Sequence, residues 1–565
     1  LMVMMYGGVP IIDNVQNPII GDSEGIHLVV PRSSTKECID FICKDLQTAA
    51  DYLPARWESE NKNFGRITSG AALALKGRVE LLYASPLFNR ADDVTRWETA
   101  YQTNLAAVKK LEEGNFGLAY ENNSGKNAAG WGKIFSDYIG SEGGGGTVSE
   151  AVLVTLYNNV SPAEHLQLEK WNGWEHSLRP ANAGGGGGMT PTAEMVDLFP
   201  MADGKKPNDM NGSYDYNQEL FFLNRDPRFY RTFAFPGVEW KFDSDDLKSF
   251  GEKGKLPYGI NGYTTGNNYK LWNYCWYDNV DDRNSNSKSG YAADCLGTKN
   301  TGIYLRKRTD DLALNSNPLY IFEKTSGNGF RQSAAPYMEI RFAEVLLNYA
   351  EAACGANHFD EAVNALKRIR KRVGYTDNCG LDPAIFNDRA KLFEAILYER
   401  QIELAYEGKR FHDVRRWMLF DGGVGQEALK STWKLTGFNG NTCNYLGVEP
   451  LNGQRRHRIE VYAKNFIAAK SNNVYNEDKT IKETYDELWN KRPTALSLTE
   501  DITCTESADD EITYADAKVK ALAQFYQEHF KRKNLSTDGN DETILPTFKP
   551  YYYILGFKKN AMQNN

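Results

Sequence analysis

The stretch from Tyr337 to Phe420 constrains the fold more than any other part of this 565-residue chain. Ile340, Ala343, Leu347, Ala350 and Ala353 recur at helical spacing, and so do Ala362, Ala365, Leu366, Ile369 and Val373. Gly355 and Gly374 stand where helix C-caps are expected. Small alanines on each packing face let the two helices approach closely as an antiparallel pair. Such a pair spans about 35 residues, the size of a tetratricopeptide unit, although the full tetratricopeptide consensus is absent. Asp382-Pro383 supplies an N-cap and an N1 proline for a third, longer helix.

That third helix carries Glu399, Arg400 and Glu403, with the two glutamates on one face. Gly408 then breaks the helix, and Arg410, Asp413, Arg415, Arg416 and Trp417 follow. Two carboxylates on one face are a formal acid/base pair. No His, Ser or Cys partner is placed beside them by the sequence, so the favoured reading is a partly buried Glu–Arg–Asp network that locks the helix to its neighbours.

Taken together, EIRFAEVLLNYAEA, the IRKRVGY helix end and ER-IEL-YEGKRFHDVRRW resemble the C-terminal signature of the SusD/RagB family, the surface glycan-binding lipoproteins of Gram-negative polysaccharide-utilisation systems. Order and spacing of three blocks make the resemblance specific. It implies a mainly α fold: a tetratricopeptide-like helical-hairpin scaffold with large loop-rich, partly β insertions forming the ligand face. Glu399, Arg400, Glu403, Arg410, Asp413, Arg416 and Trp417 are then structural signature residues.

Composition fits that expectation. The net charge is −8, which disfavours a nucleic-acid backbone as partner, and the aromatic share is high, with 32 Tyr, 27 Phe and 11 Trp. No apolar run reaches the ~18 residues of a membrane helix. The eight cysteines form no CxxC and no zinc-spaced Cys/His cluster, so they read as mostly buried thiols with at most one or two bridges. No cofactor is implied.

Toward the N-terminus, YGGVPII (Tyr6 to Ile12) is a glycine turn entering an extended segment, and it resembles a phrase that follows the first helical hairpins of the family. The resemblance implies a helical portion and a lipid anchor preceding residue 1. Ser34 and Glu37 make a capping box for a helix to about Tyr52, ended by Leu53-Pro54. Gly65 to Asn89 holds the next helix, and Asp93 caps another running to about Glu113. These last two form a second tetratricopeptide-like hairpin. The organisation is therefore scaffold (1–113), insertion (114–335), scaffold with the signature (336–420), then a second insertion and C-terminal segment (421–565).

Helical periodicity fades after Gly114. The runs Gly143–Gly146 and Gly184–Gly188 lack the GK[ST] of a phosphate loop and read as flexible connections. MTPTAEMVDLFPMADGK and NRDPRFYRTFAFPG both resemble family phrases; a short helix is expected at Pro191–Phe199 and a strand at Phe229–Phe235. Then Tyr263, Tyr269, Trp272, Tyr274, Trp276 and Tyr277 crowd together among Asn, Asp and Lys. Flat rings with nearby amides and charges suit sugars, whose C–H faces stack while their hydroxyls need hydrogen-bond partners. The opposing reading is that the rings roof the core. Asp278, Asp281, Asp282 and Asn284 lack calcium-loop spacing. Arg306 is a candidate sugar donor, although the run Arg306, Lys307, Arg308 also reads as a solvated edge, as does Gln454 to Arg458. A helix is expected from about Tyr514 to Lys533.

The leading expectation is a non-catalytic cell-surface binder of oligo- or polysaccharide, lipid-anchored in the outer membrane, which delivers ligand to a SusC-type TonB-dependent transporter. The alternatives are a glycoside hydrolase, a peptide- or glycoprotein-binding member of the same family, and a tetratricopeptide-type adaptor. Against the hydrolase, the aromatic segment offers no Glu.

Overall fold

This computed structural model describes residues 1–15, 30–58, 60–122, 128–136, 148–158, 170–179, 189–240, 269–270, 303–309, 319, 333–419, 457–463, 466–467, 473–475, 482–484, 491, 493, 496–497, 517–536 and 554. Both glycine runs and the Asp278–Asn284 cluster lie outside them.

The scaffold is a ladder of antiparallel helices: α1 (Thr35–Tyr52), α2 (Ser69–Ala84), α3 (Val94–Glu113), α4 (Phe342–Gly355), α5 (Phe359–Arg372), α6 (Arg389–Glu403) and α7 (Arg410–Arg416). The predicted capping box forms on α1, where Ser34 Oγ accepts from the Glu37 N–H and the Glu37 carboxylate accepts from the Ser34 N–H. Asp93 caps α3 as its position suggests. Residue pairings fix the directions. Lys76 of α2 donates to Gln47 of α1. Gly70 and Gly77 of α2 back onto Leu111 and Asn104 of α3, close enough that a Cβ at Gly77 would lie 2.4 Å from Asn104 Oδ1. α3 in turn meets α4, with Trp97 against Gly355 and Tyr101 stacked on Tyr349. The discontinuous halves of the chain thus form one helical array, with a core of Ala, Leu, Trp97, Phe393 and Trp417.

Several local expectations are corrected. Tyr337–Arg341 is a strand, antiparallel to Ala151–Thr155, and α4 begins only at Phe342. Alternation in YMEIR serves a sheet before the helical period takes over. Gly355 is the last residue of its helix, not a C-cap; it is small because Trp97 fills the space, and a Cβ would stand 2.2 Å from that ring. The left-handed turn comes at Asn357, with φ 68°. Gly374, at φ 106°, follows α5 as expected. Asp382-Pro383 caps only a 3-10 turn, Pro383–Ile385; Asp388 caps α6. Phe229–Thr232 is helical, because Asp226 and Pro227 start a turn there, and only Phe233–Ala234 is strand. In the C-terminal segment the helix stops at His529, and Phe530–Ser536 pairs with His457–Ala463.

Among the described residues, the two insertions share one core. Phe199, Phe221, Phe222, Phe229, Phe233 and Phe235 of the first pack with Val519, Leu522, Phe525, Tyr526 and Phe530 of the second, and with Ile402 and Ala405 of the scaffold. Tyr526 donates to the Pro236 carbonyl at 2.6 Å, and Arg532 grips the Asp197 carboxylate through both terminal nitrogens at 2.7 Å. A phenylalanine-rich core accounts for part of the aromatic content, since edge-to-face rings fill such a space well. Cys38, Cys43, Cys354 and Cys379 are free thiols.

Candidate ligand face and the charge network beneath it

The aromatic segment is anchored at one place. Phe233–Ala234 pairs with Tyr304–Leu305, and Val238–Trp240, a few residues on, pairs with Tyr269–Lys270. Leu496–Ser497 of the second insertion lies parallel on the other side of Val238–Trp240. The segment between Lys270 and Ile303 therefore leaves from and returns to a single eight-residue stretch, Phe233–Trp240. Tyr269 sits opposite Trp240 in that small sheet. Tyr263, Trp272, Tyr274, Trp276 and Tyr277 lie outside the described residues.

Arg306 is placed differently from a sugar donor. It is 5% exposed, and its guanidinium donates to the Tyr230 carbonyl at 2.8 Å. Nor is Lys307 solvated. Its ammonium is enclosed by the Trp131 and Phe135 rings, each 4.6 Å away, the Glu407 carboxylate at 2.6 Å and the carbonyls of Glu403 and Ala405. Burial pushes Lys307 down to about 8, the Glu407 charge only partly offsetting it. Arg308 lies over Trp174 and Tyr337 at 4.3 and 4.7 Å. A basic run that looks like a surface edge instead fastens the returning end of the aromatic segment to the turn after α6. Hydrogen-bonding capacity, not charge alone, decides this, because that turn exposes carbonyls at a helix C-terminus.

Beneath that anchor lies a buried charge network. Glu399 and Glu403 are both 0% exposed and share Arg228 Nη1, at 2.5 and 2.9 Å. Glu399 also accepts from Arg370 at 2.9 Å. Glu403 further accepts from Arg341 at 2.7 Å, from Arg372, and from Trp131 Nε1 at 2.9 Å. Glu150 bridges Arg341 and Arg372, at 2.7 and 2.6 Å, while Asp226 holds Arg228 and receives the Tyr375 hydroxyl. Burial acts to raise the Glu403 carboxyl, but Arg372, Arg341 and Arg228 outweigh it and leave it well below the usual carboxylate range. This constellation joins the first insertion, the strand before α4, the end of α5 and the end of α6.

A second network sits on the other side of α6. Arg400 donates to both oxygens of Asp413, at 3.0 and 3.1 Å, and to Asn348. Arg416 reaches Asp413 and Glu351, and Trp417 Nε1 donates to Glu351 at 2.8 Å. Arg410 stands apart from it, half-buried against Met195. The glutamate pair of α6 is thus enclosed by guanidiniums with no access to solvent. Sequence reasoning missed Arg228, Glu150, Arg341, Arg370 and Arg372. They stand in phrases such as NRDPRFY and EIRF, and no local spacing in those phrases pairs them with the glutamates of α6.

A scaffold of antiparallel helical hairpins, split by insertions and sealed by arginine–glutamate networks, is the class of architecture this chain adopts. The sequence model of the SusD family matches residues 132–494, and a second one, described as starch-binding associating with outer membrane, matches residues 1–81. The chain belongs to the SusD family. It is 34% identical over 131 residues to SusD-like protein P2 of Formosa agariphila; that match covers 21% of this chain and about a quarter (25%) of the relative. Among solved structures, the protein named BT4246 superposes with a TM-score of 0.53 at 20% identity, covering 86% of this chain and 79% of that one. A SusD-like protein from Bacteroides fragilis is 24% identical with a TM-score of 0.49, over 81% and 68% of the two chains. Fold similarity with BT4246 supports the helical scaffold with insertions.

Proposed function

We propose that the chain binds oligo- or polysaccharide at the outer-membrane cell surface without cleaving it and delivers the ligand to a SusC-type TonB-dependent transporter. The observation that carries this reading is that Tyr269–Lys270, within the aromatic segment, and Tyr304–Leu305, beyond it, both pair with Phe233–Trp240, beside a buried charge network that fixes this region. Family membership supports it, as does the description of the family matched by residues 1–81. Tyr263, Tyr269, Trp272, Tyr274, Trp276 and Tyr277 are the proposed sugar-stacking residues; Arg306 acts through the anchor. Non-catalysis is supported by Glu399 and Glu403, the one acid/base pair that the sequence suggested, being closed off by arginines.

Affinity electrophoresis against a panel of polysaccharides, with a reducing-sugar assay alongside, tests the reading. Retardation without sugar release is expected, and Trp272→Ala with Trp276→Ala lowers it while the helical circular dichroism stays unchanged. Sugar release overturns the non-catalytic part. Unchanged retardation in the double variant removes the aromatic segment from the site.

A further inference from the structure

A cleft of about 330 Å³ opens between the scaffold and the first insertion. Such a volume falls at the small end of the range for small-molecule sites. One wall is a single face of α6, with Lys391, Glu394, Ala395 and Tyr398 at positions i, i+3, i+4 and i+7. The opposite wall is the turn from Gly204 to Asp209, and Gly380 to Ile385 closes the end. Gly204 and Gly380 are both left-handed, at φ 79° and 69°, and let the two turns touch: a Cβ on Gly380 would lie 2.3 Å from the Asp203 carbonyl oxygen. Arg370 lies under this floor, engaged by Glu399 and by the carbonyls of Cys379 and Gly204.

Charges on the rim are not equivalent. Asp209 and Asp382 each accept a backbone N–H at 2.9 Å, from Asn211 and Ala384, and Glu394 pairs with Lys206. Lys205 is half-buried, and its ammonium has no hydrogen-bond or ion-pair partner among the described residues. Among the described residues, the ammonium of Lys391 has only an exposed contact to Asp388 at 3.6 Å, of a kind that contributes little. It also stands in the first turn of α6, where the helix end is itself positive. Two weakly partnered ammoniums therefore overlook an apolar patch of Leu381, Ile385 and Ala395, in a chain of net charge −8.

We propose that this cleft is a subsite for an anionic sugar unit: Lys205 and Lys391 take its carboxylate or sulfate, Asp209 and Asp382 accept its hydroxyls, and Ile385 and Ala395 support its C–H face. The anion site stands on its own geometry and rests on the glycan-binding reading only for the ligand being a saccharide. None of its lining residues belongs to the aromatic segment, so the two proposals answer to different variants.

Calorimetry with trigalacturonate, galactose 6-sulfate and neutral maltotetraose tests it, on the wild type, on Lys205→Gln/Lys391→Gln and on Trp272→Ala/Trp276→Ala. The wild type is expected to bind at least one charged sugar, more weakly at high salt, and the lysine double variant to bind it about tenfold more weakly, in line with hydrogen bonds to charged groups. Which charged sugar binds decides between carboxylate and sulfate. Failure of both charged sugars to bind, or equal binding by the lysine variant, overturns the proposal. Neutral binding lost in the tryptophan variant alone leaves the glycan reading standing whatever the cleft does; charged binding without any neutral binding supports the cleft and counts against the aromatic segment as the site.

Discussion

Glu403 receives hydrogen bonds from three arginines and a tryptophan, so its loss leaves several buried donors short of an acceptor. Glu403→Gln keeps the shape and removes the charge. Breaking one member of a buried ion network costs about 3–5 kcal/mol, and urea unfolding followed by circular dichroism is expected to show a loss of that size. A change below 1 kcal/mol would mean that the arginines find other partners. Glu407 offers a test by pH. Burial pushes its carboxyl up, but Arg341 and Lys307 more than reverse this and hold it at about 2, against an ordinary 4.5. A depressed carboxyl stabilises the fold fully above its unfolded value and loses that effect as pH falls through the folded one. The stability gap between wild type and Glu407→Gln is therefore expected to be constant from about pH 4.5 up to the range where Lys307 titrates, and to close toward pH 2. A gap of the same size at pH 2.5 and pH 7 would contradict the assignment.

Among the helices, two glycines of similar appearance have different reasons to exist. Gly355 is enclosed by the Trp97 ring, so Gly355→Ala overpacks the α3–α4 contact and costs roughly 1–3 kcal/mol. Gly374 has open space around it, but φ 106° strains any side chain, and Gly374→Ala costs roughly 1–2 kcal/mol. Combining Gly355→Ala with Trp97→Phe separates the mechanisms, because a smaller ring relieves the first and leaves the second untouched. Thermal melts of Gly355→Ala and Gly374→Ala, each with and without Trp97→Phe, check this. Both glycines are visible in the sequence as punctuation; only the neighbouring helix says which one is a cap. The same holds for Asp382 and Asp388, two competent N-caps six residues apart, of which the second starts the helix.

At the scale of the whole molecule, the shared phenylalanine core ties both insertions to α6. Tyr526→Ala removes a ring from the centre of that core, together with its hydrogen bond to Pro236, and about 3–5 kcal/mol is expected to go with it. Because scaffold residues line the same core, helical circular dichroism and tryptophan fluorescence are expected to lose structure in one transition, shifted together by the variant. Two separated transitions would show that the insertions fold as independent units. The helical hairpins, the Ser34 and Asp93 caps and the signature blocks were legible in the sequence because they depend on neighbours three or four residues away. The partners of Glu399 and Glu403 were not, since Arg228 and Glu150 come from residues far along the chain, and no local period announces them. Arg306 and Lys307 show the limit most plainly. By themselves they are a basic run, and the chain alone determines only that they carry charge. Their burial was decided by the tertiary structure, which sets the Tyr230 carbonyl against Arg306 and brings a helix C-terminus with open carbonyls, a carboxylate and two aromatic rings around Lys307, and so makes burying those cations cheaper than leaving the carbonyls and Glu407 without donors.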